Sequence, residues 1–161
     1  MVSVKRLKKF DMFKDLTESE LEKVAPLGEE RKYYKGEVIF EEGEKPEEIY
    51  LLEEGKVVSF VQLDIGPKSE RINIIEEGDV FGLSALIGEA QKLTASAIAE
   101  TNVKVITIKS KDLRRLFERE QKIGFIVMKN LNTIFWKRLK SARMHLISLI
   151  SREEKFQQEL F

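Results

Sequence analysis

The chain has 161 residues, of which 42% are hydrophobic and 35% charged, with 28 Lys+Arg against 28 Asp+Glu, a mixture too apolar for disorder and too polar for a membrane-embedded protein. That length suits one domain with one sizeable core. With no cysteine and one histidine, the chain has no means of building a disulfide framework, a thiolate zinc site, a cysteine-held iron–sulfur cluster or a Cys nucleophile.

Met1-Val2-Ser3-Val4-Lys5-Arg6 runs into further lysines instead of an apolar signal segment, and no uninterrupted apolar run approaches ~18 residues. A cytoplasmic protein with no membrane span is expected. Over residues 1–30, Leu7, Phe10, Phe13 and Leu16 recur at helical intervals, and Thr17-Glu18-Ser19-Glu20 forms a capping box ahead of Leu21, Val24 and Ala25. This predicts a small helical segment.

From about Arg31 to residue 109 the pattern changes to short β-rich runs: Val38 to Phe40, Ile49 to Leu52, Val57 to Leu63, Ile72 to Ile75, Thr94 to Ala99 and Val103 to Ile108. Turns are expected at Glu42-Gly43-Glu44, Glu53-Glu54-Gly55, Asp64 to Pro67 and Glu76 to Asp79. Such spacing predicts a rolled antiparallel sheet. Within it, Gly78-Asp79-Val80-Phe81-Gly82-Leu83-Ser84-Ala85-Leu86-Ile87-Gly88 reads as strand end, glycine turn and short apolar helix, with Leu93-Thr94-Ala95-Ser96-Ala97 opening the next strand. Two readings stay open here: backbone N–H groups cradling an anion, or simple turn glycines around a plug of core leucines.

After Ile108, Ser110 is expected to cap a helix with Leu113, Leu116 and Phe117 on one face. Between Gln121 and about Ile150 there is no proline and one glycine, while Met128, Phe135, Leu139, Ala142, Leu146 and Leu149 form an a/d-like stripe. A helix of ~30 residues spans about 45 Å, further than so small a domain covers with its own core. The stripe therefore predicts a homodimer through the long helix, within C-terminal helices spanning 110–150, with 151–161 as a tail. Charge is uneven: Glu29 to Glu54 holds ten Glu against four Lys/Arg, whereas Gln121 to Arg152 holds seven Lys/Arg and no acid. These runs read as solvated faces.

Catalytic patterns are missing: there is no Gly-x-x-x-x-Gly-Lys-Ser/Thr loop, Gly-x-Ser-x-Gly elbow or His-Glu-x-x-His pair. His145 stands alone on the long helix and is expected to be exposed or at an interface. No enzyme activity, metal or cofactor is predicted.

Two ordered segments resemble a known family. Lys35 to Glu44 followed by Ile49 to Leu52 and Gly55, and then Phe81-Gly82 through Ala85-Leu86 to Thr94-Ala95, resemble the cyclic-nucleotide-binding domain of the Crp/Fnr regulators and of cyclic-nucleotide-gated kinases and channels, over about residues 10–150. The resemblance implies a mainly β fold with flanking helices, an antiparallel β-roll or jelly roll followed by a long C-terminal helix, acting as a regulatory sensor. It places ligand-binding cassette positions at Gly82, Leu83, Ser84, Ala85, Leu93, Thr94 and Ala95. Family members that bind cyclic nucleotides carry Glu directly after the cassette glycine, for the ribose hydroxyl, and Arg directly before the Ser/Thr-Ala pair, for the cyclic phosphate. Here those positions are Leu83 and Leu93, so cAMP or cGMP binding of the usual kind is not expected, and the effector is an unidentified small molecule or nucleotide. Crp/Fnr transcription factors continue into a helix-turn-helix, but only eleven residues, Ser151 to Phe161, follow Ile150. Sequence-specific DNA binding by this chain alone is not expected. Three readings stay open: a dimeric sensor module, a regulator cut before its DNA-binding domain, and a ligand-free scaffold for a protein partner.

Overall fold

A computed structural model describes residues 1–62, 69–87 and 92–159. Leu63, the expected turn at Asp64 to Pro67, and Gly88 lie outside them. The N-terminal segment folds as α1 (Val4–Leu7), a single 3₁₀ turn at Asp11–Phe13, and α2 (Glu18–Val24). The capping box is present: Glu20 N–H donates to Thr17 Oγ1 at 3.2 Å, and Thr17 N–H donates to the Glu20 carboxylate at 2.8 Å.

Eight strands follow: β1 (Gly28–Tyr33), β2 (Val38–Phe40), β3 (Glu48–Glu54), β4 (Val57–Gln62), β5 (Ser69–Ile75), β6 (Val80–Phe81), β7 (Ser96–Ala99) and β8 (Val103–Lys109). They form two four-stranded sheets, β1-β8-β3-β6 and β2-β7-β4-β5, in which every pairing is antiparallel. The sheet begins three residues before Arg31, with β1. Its sequence, Gly-Glu-Glu-Arg-Lys-Tyr, has no apolar alternation because this edge strand is mostly exposed.

Alternation along β3 and β8 organises the interior. Ile49 and Leu51, with Ile106 and Ile108, face the helices, while Tyr50 and Leu52, with Val103 and Val105, face the opposing sheet. Buried on both sides, these strands read as continuous apolar runs. The single core expected from length is thus two apolar layers sharing one sheet. One joins that sheet to Leu7, Phe10, Phe13, Leu21, Leu113 and Val127. The other fills the space between the sheets, with Val57, Ile75, Ala97 and Ala99.

Two helices, α3 (Ser110–Arg119) and α4 (Gln121–Glu159), close the fold. Ser110 does not cap α3: Lys109 holds the cap position, and Ser110 N–H donates to the Glu47 carbonyl at 2.9 Å, so the strand runs straight into the helix. Gly124 lets α3 and α4 meet closely, since a Cβ there would lie 2.9 Å from Phe117 Cβ. Asn130, buried, donates to the carbonyls of Lys14 at 2.6 Å and Met12 at 3.3 Å, tying α4 to the N-terminal segment. Residues 151–159, expected as part of a tail, continue α4, which reaches 39 residues. Arg152, Glu153 and Glu154 carry no apolar stripe, yet nothing in that stretch breaks a helix. Among the described residues, no helix is long and apolar enough to cross a membrane.

Candidate functional site

Strand β6 ends at Phe81, and Gly82 turns the chain at φ +69° into a 3₁₀ turn, Leu83–Leu86. Only glycine fits: a Cβ at Gly82 would lie 2.9 Å from the Tyr50 ring and 3.0 Å from the Glu48 carbonyl oxygen. Beneath the turn, Tyr50 and Phe81 stack with centroids 5.0 Å apart, and Phe40 packs 5.4 Å from Tyr50 and 6.0 Å from Phe81. Burial pushes the Tyr50 hydroxyl well above the usual phenol range, so it stays neutral.

Over this aromatic floor lies a cavity of about 280 Å³. Gly82, Leu83, Ser84, Leu93, Thr94 and Ala95, the cassette positions, all line it. Ala85 does not. It is buried in the helix-side core, and its carbonyl accepts from Arg114 Nη2 on α3. Leu83 and Leu93, where the resemblance implies carboxylate and guanidinium in nucleotide-binding members, are both buried, and Leu83 also packs against the helix-side core. The hydroxyls of Ser84 and Thr94 make no hydrogen bond among the described residues and are available to a ligand. Lys92 does not line the cavity.

Sequence reasoning missed the remaining wall. Ser59, Asn73 and Ile75 come from the second sheet, and Phe135 and Arg138 from α4. Phe135, placed in the dimer stripe, therefore also closes the cavity. Among the described residues Arg138 is its only charged lining residue, and Arg138 Nη2 donates to the Val80 carbonyl. Desolvation holds the guanidinium below its usual range, against a raising pull from Asp79. A basic residue in a run of basic residues gave no signal of this role; only its position three residues after Phe135, on the same helix face, pointed inward. Larger depressions exist elsewhere, of about 370 Å³ over Val58, Phe60 and Ile98, and about 420 Å³ beside Lys45 and Arg114. Neither lies between the two sheets and α4.

Beyond Arg138 the helix leaves the body. Leu139, Ala142, Leu146 and Leu149 are exposed, Leu139 by 54% and Leu146 by 56%, and every described residue from 139 to 158 is exposed. Met128 and Phe135 are exposed as well, less so than Leu139 and Leu146. His145 is exposed, and no cluster of potential metal ligands occurs among the described residues.

The family model of the cyclic nucleotide-binding domain matches residues 30–120. The chain belongs to the cyclic nucleotide-binding domain family. A putative cyclic nucleotide-binding protein from Geobacter metallireducens is 32% identical, with 86% of this chain and 99% of that one covered at a TM-score of 0.75. The catabolite activator protein of Thermus thermophilus is 25% identical, with 86% of this chain and 62% of that one covered at a TM-score of 0.71. The sensor domain of the transcriptional regulator DNR from Pseudomonas aeruginosa shares the fold at 18% identity and a TM-score of 0.70, with 84% and 90% covered. No protein of curated function gives a significant sequence match. The chain is thus a cyclic nucleotide-binding domain, similar to the sensor domains of Crp/Fnr regulators.

Proposed function

We propose that this domain is a non-catalytic, dimeric cytoplasmic sensor whose β-roll cavity takes a small-molecule effector other than cAMP or cGMP held in the usual way. One observation carries the reading: a single cavity is lined both by the cassette and by Phe135 and Arg138 of α4, at the point where that helix leaves the body. A ligand there touches the helix directly. Two arginines already fasten the cassette and the strand leading into it to the helices, Arg114 of α3 through Ala85 and Arg138 of α4 through Val80 of β6. Displacing the cassette therefore displaces the helix. Met128, Phe135, Leu139, Ala142, Leu146 and Leu149 recur at alternating three- and four-residue spacings once Asn132 is included, the seam of a paired helix. The effector acts by favouring one of two arrangements of that pair.

The test is to restore what the cassette lacks. Arginine supplies a two-pronged, charge-assisted contact to phosphate that leucine does not, and a missing partner for a buried charge costs ~3–5 kcal/mol, roughly a hundred- to several thousand-fold in affinity. The double variant Leu83→Glu, Leu93→Arg should bind cAMP measurably by titration calorimetry, whereas the wild type should not. A stable double variant with no cAMP affinity would mean the effector cavity is elsewhere.

A further inference from the structure

The cavity has an asymmetry that its cassette wall alone does not reveal. On the roll side its lining is hydrocarbon or neutral: Leu83 and Leu93, with Phe40 and Phe81 beneath and the Ser84 and Thr94 hydroxyls at the edge. On the helix side stands Arg138, and no carboxylate lines the cavity among the described residues. Arg138 makes one hydrogen bond there, from Nη2 to the neutral Val80 carbonyl, and no ion pair among the described residues. A guanidinium carries five N–H donors in a planar fork, so most of this one's capacity is unspent. The Val80 carbonyl fixes the fork's direction without neutralising it. Desolvation disfavours the cation, against a raising pull from Asp79, and an anion brought to it gains a charge-assisted, two-pronged contact.

Resting on the reading of this cavity as the effector site, we infer that Arg138 is its anion-binding residue, and that the effector is a compact molecule bearing one oxyanion on an apolar or aromatic body. The body lies against Leu83, Leu93 and the aromatic floor, and the oxyanion faces α4. Charge recognition thus sits on the helix instead of the cassette. The ligand's charge acts on the last residue of α4 that still touches the body, one position before the exposed stretch begins at Leu139.

Anilinonaphthalene sulfonate and N-phenylnaphthylamine share an aromatic body of suitable size and differ in the oxyanion. Both are titrated by fluorescence into the full chain, counting only the binding lost in Ala95→Phe, which fills the cavity. The sulfonate should bind about tenfold or more tighter than the neutral probe, as one charge-assisted contact implies. Arg138→Gln should remove that advantage and leave the neutral probe unchanged, while Arg138→Lys should retain part of it. Equal affinities in the wild type, or an Arg138→Gln variant that weakens both probes alike, would overturn the inference and leave Arg138 a clamp on Val80, with the cavity still a ligand site. Failure of both probes to bind in the cavity would instead overturn the effector-site reading on which the inference rests.

Discussion

Gly82 concentrates the demands that the cassette makes on single residues. Its φ of +69° is costly for any side chain, and the Tyr50 ring and Glu48 carbonyl leave no room for a Cβ. Gly36 offers a control, with φ +89° but nothing within 4 Å of a built Cβ. Gly82→Ala should destabilise the domain by ~1–3 kcal/mol for the backbone conformation alone, with a further loss from displacing Tyr50. Gly36→Ala should show only the first part. Urea denaturation of both variants checks this, and a Gly82→Ala variant as stable as Gly36→Ala would show that the turn relaxes away from Tyr50. The turn at Gly82 and the strand after Thr94 were legible as local patterns, and the resemblance grouped Gly82, Ser84, Leu93 and Thr94, which line one cavity. Arg138 was not, because its partner Val80 is 58 residues away and only the completed fold brings them together. Ala85 faces the helix-side core instead of the cavity, because spacing locates a 3₁₀ turn but not which of its residues faces the helices.

Among the elements, α4 does two different things along its length. Ile123, Val127 and Leu131 are buried at four-residue intervals, anchoring the first half to the body. Phe135 and Arg138 then close the cavity, and the second half projects with its leucines exposed. Exposed leucines on a helix that no described part of the chain covers fit the proposed pairing with a like helix, which would bury them at ~25 cal/mol per Å². Lysine at Leu139 or Leu146 would place charge in that proposed seam, so Leu139→Lys and Leu146→Lys should each convert the proposed dimer to monomer at micromolar concentration without unfolding the roll. Sedimentation velocity reads this outcome, and a variant that still sediments as a dimer contradicts the seam. The strands that sequence missed or shortened, β1 and β6, are a polar edge strand and a two-residue strand. Neither has enough apolar alternation to announce itself; pairing with β8 and β3 creates them. The long helix was legible from its stripe, but not its last turns, where charge replaces the stripe.

At the scale of the whole molecule, the sheet containing β3 and β8 is the shared wall of both apolar layers. The cavity opens against the inter-sheet layer, whereas α3 and the first half of α4 pack on the helix-side layer. Leu83 belongs to both environments, lining the cavity while packing in the helix-side core. On the proposed reading, a ligand that shifts Leu83 and the fork of Arg138 acts on α4 where that helix leaves the body. On the proposed reading the domain is a dimer whose cavity takes an effector other than cAMP. Native mass spectrometry of the purified protein, with and without added cAMP, tests it in one spectrum. The account predicts the mass of a dimer, with no cAMP adduct at micromolar nucleotide. A monomer, or a dimer carrying one cAMP per protomer, would contradict it.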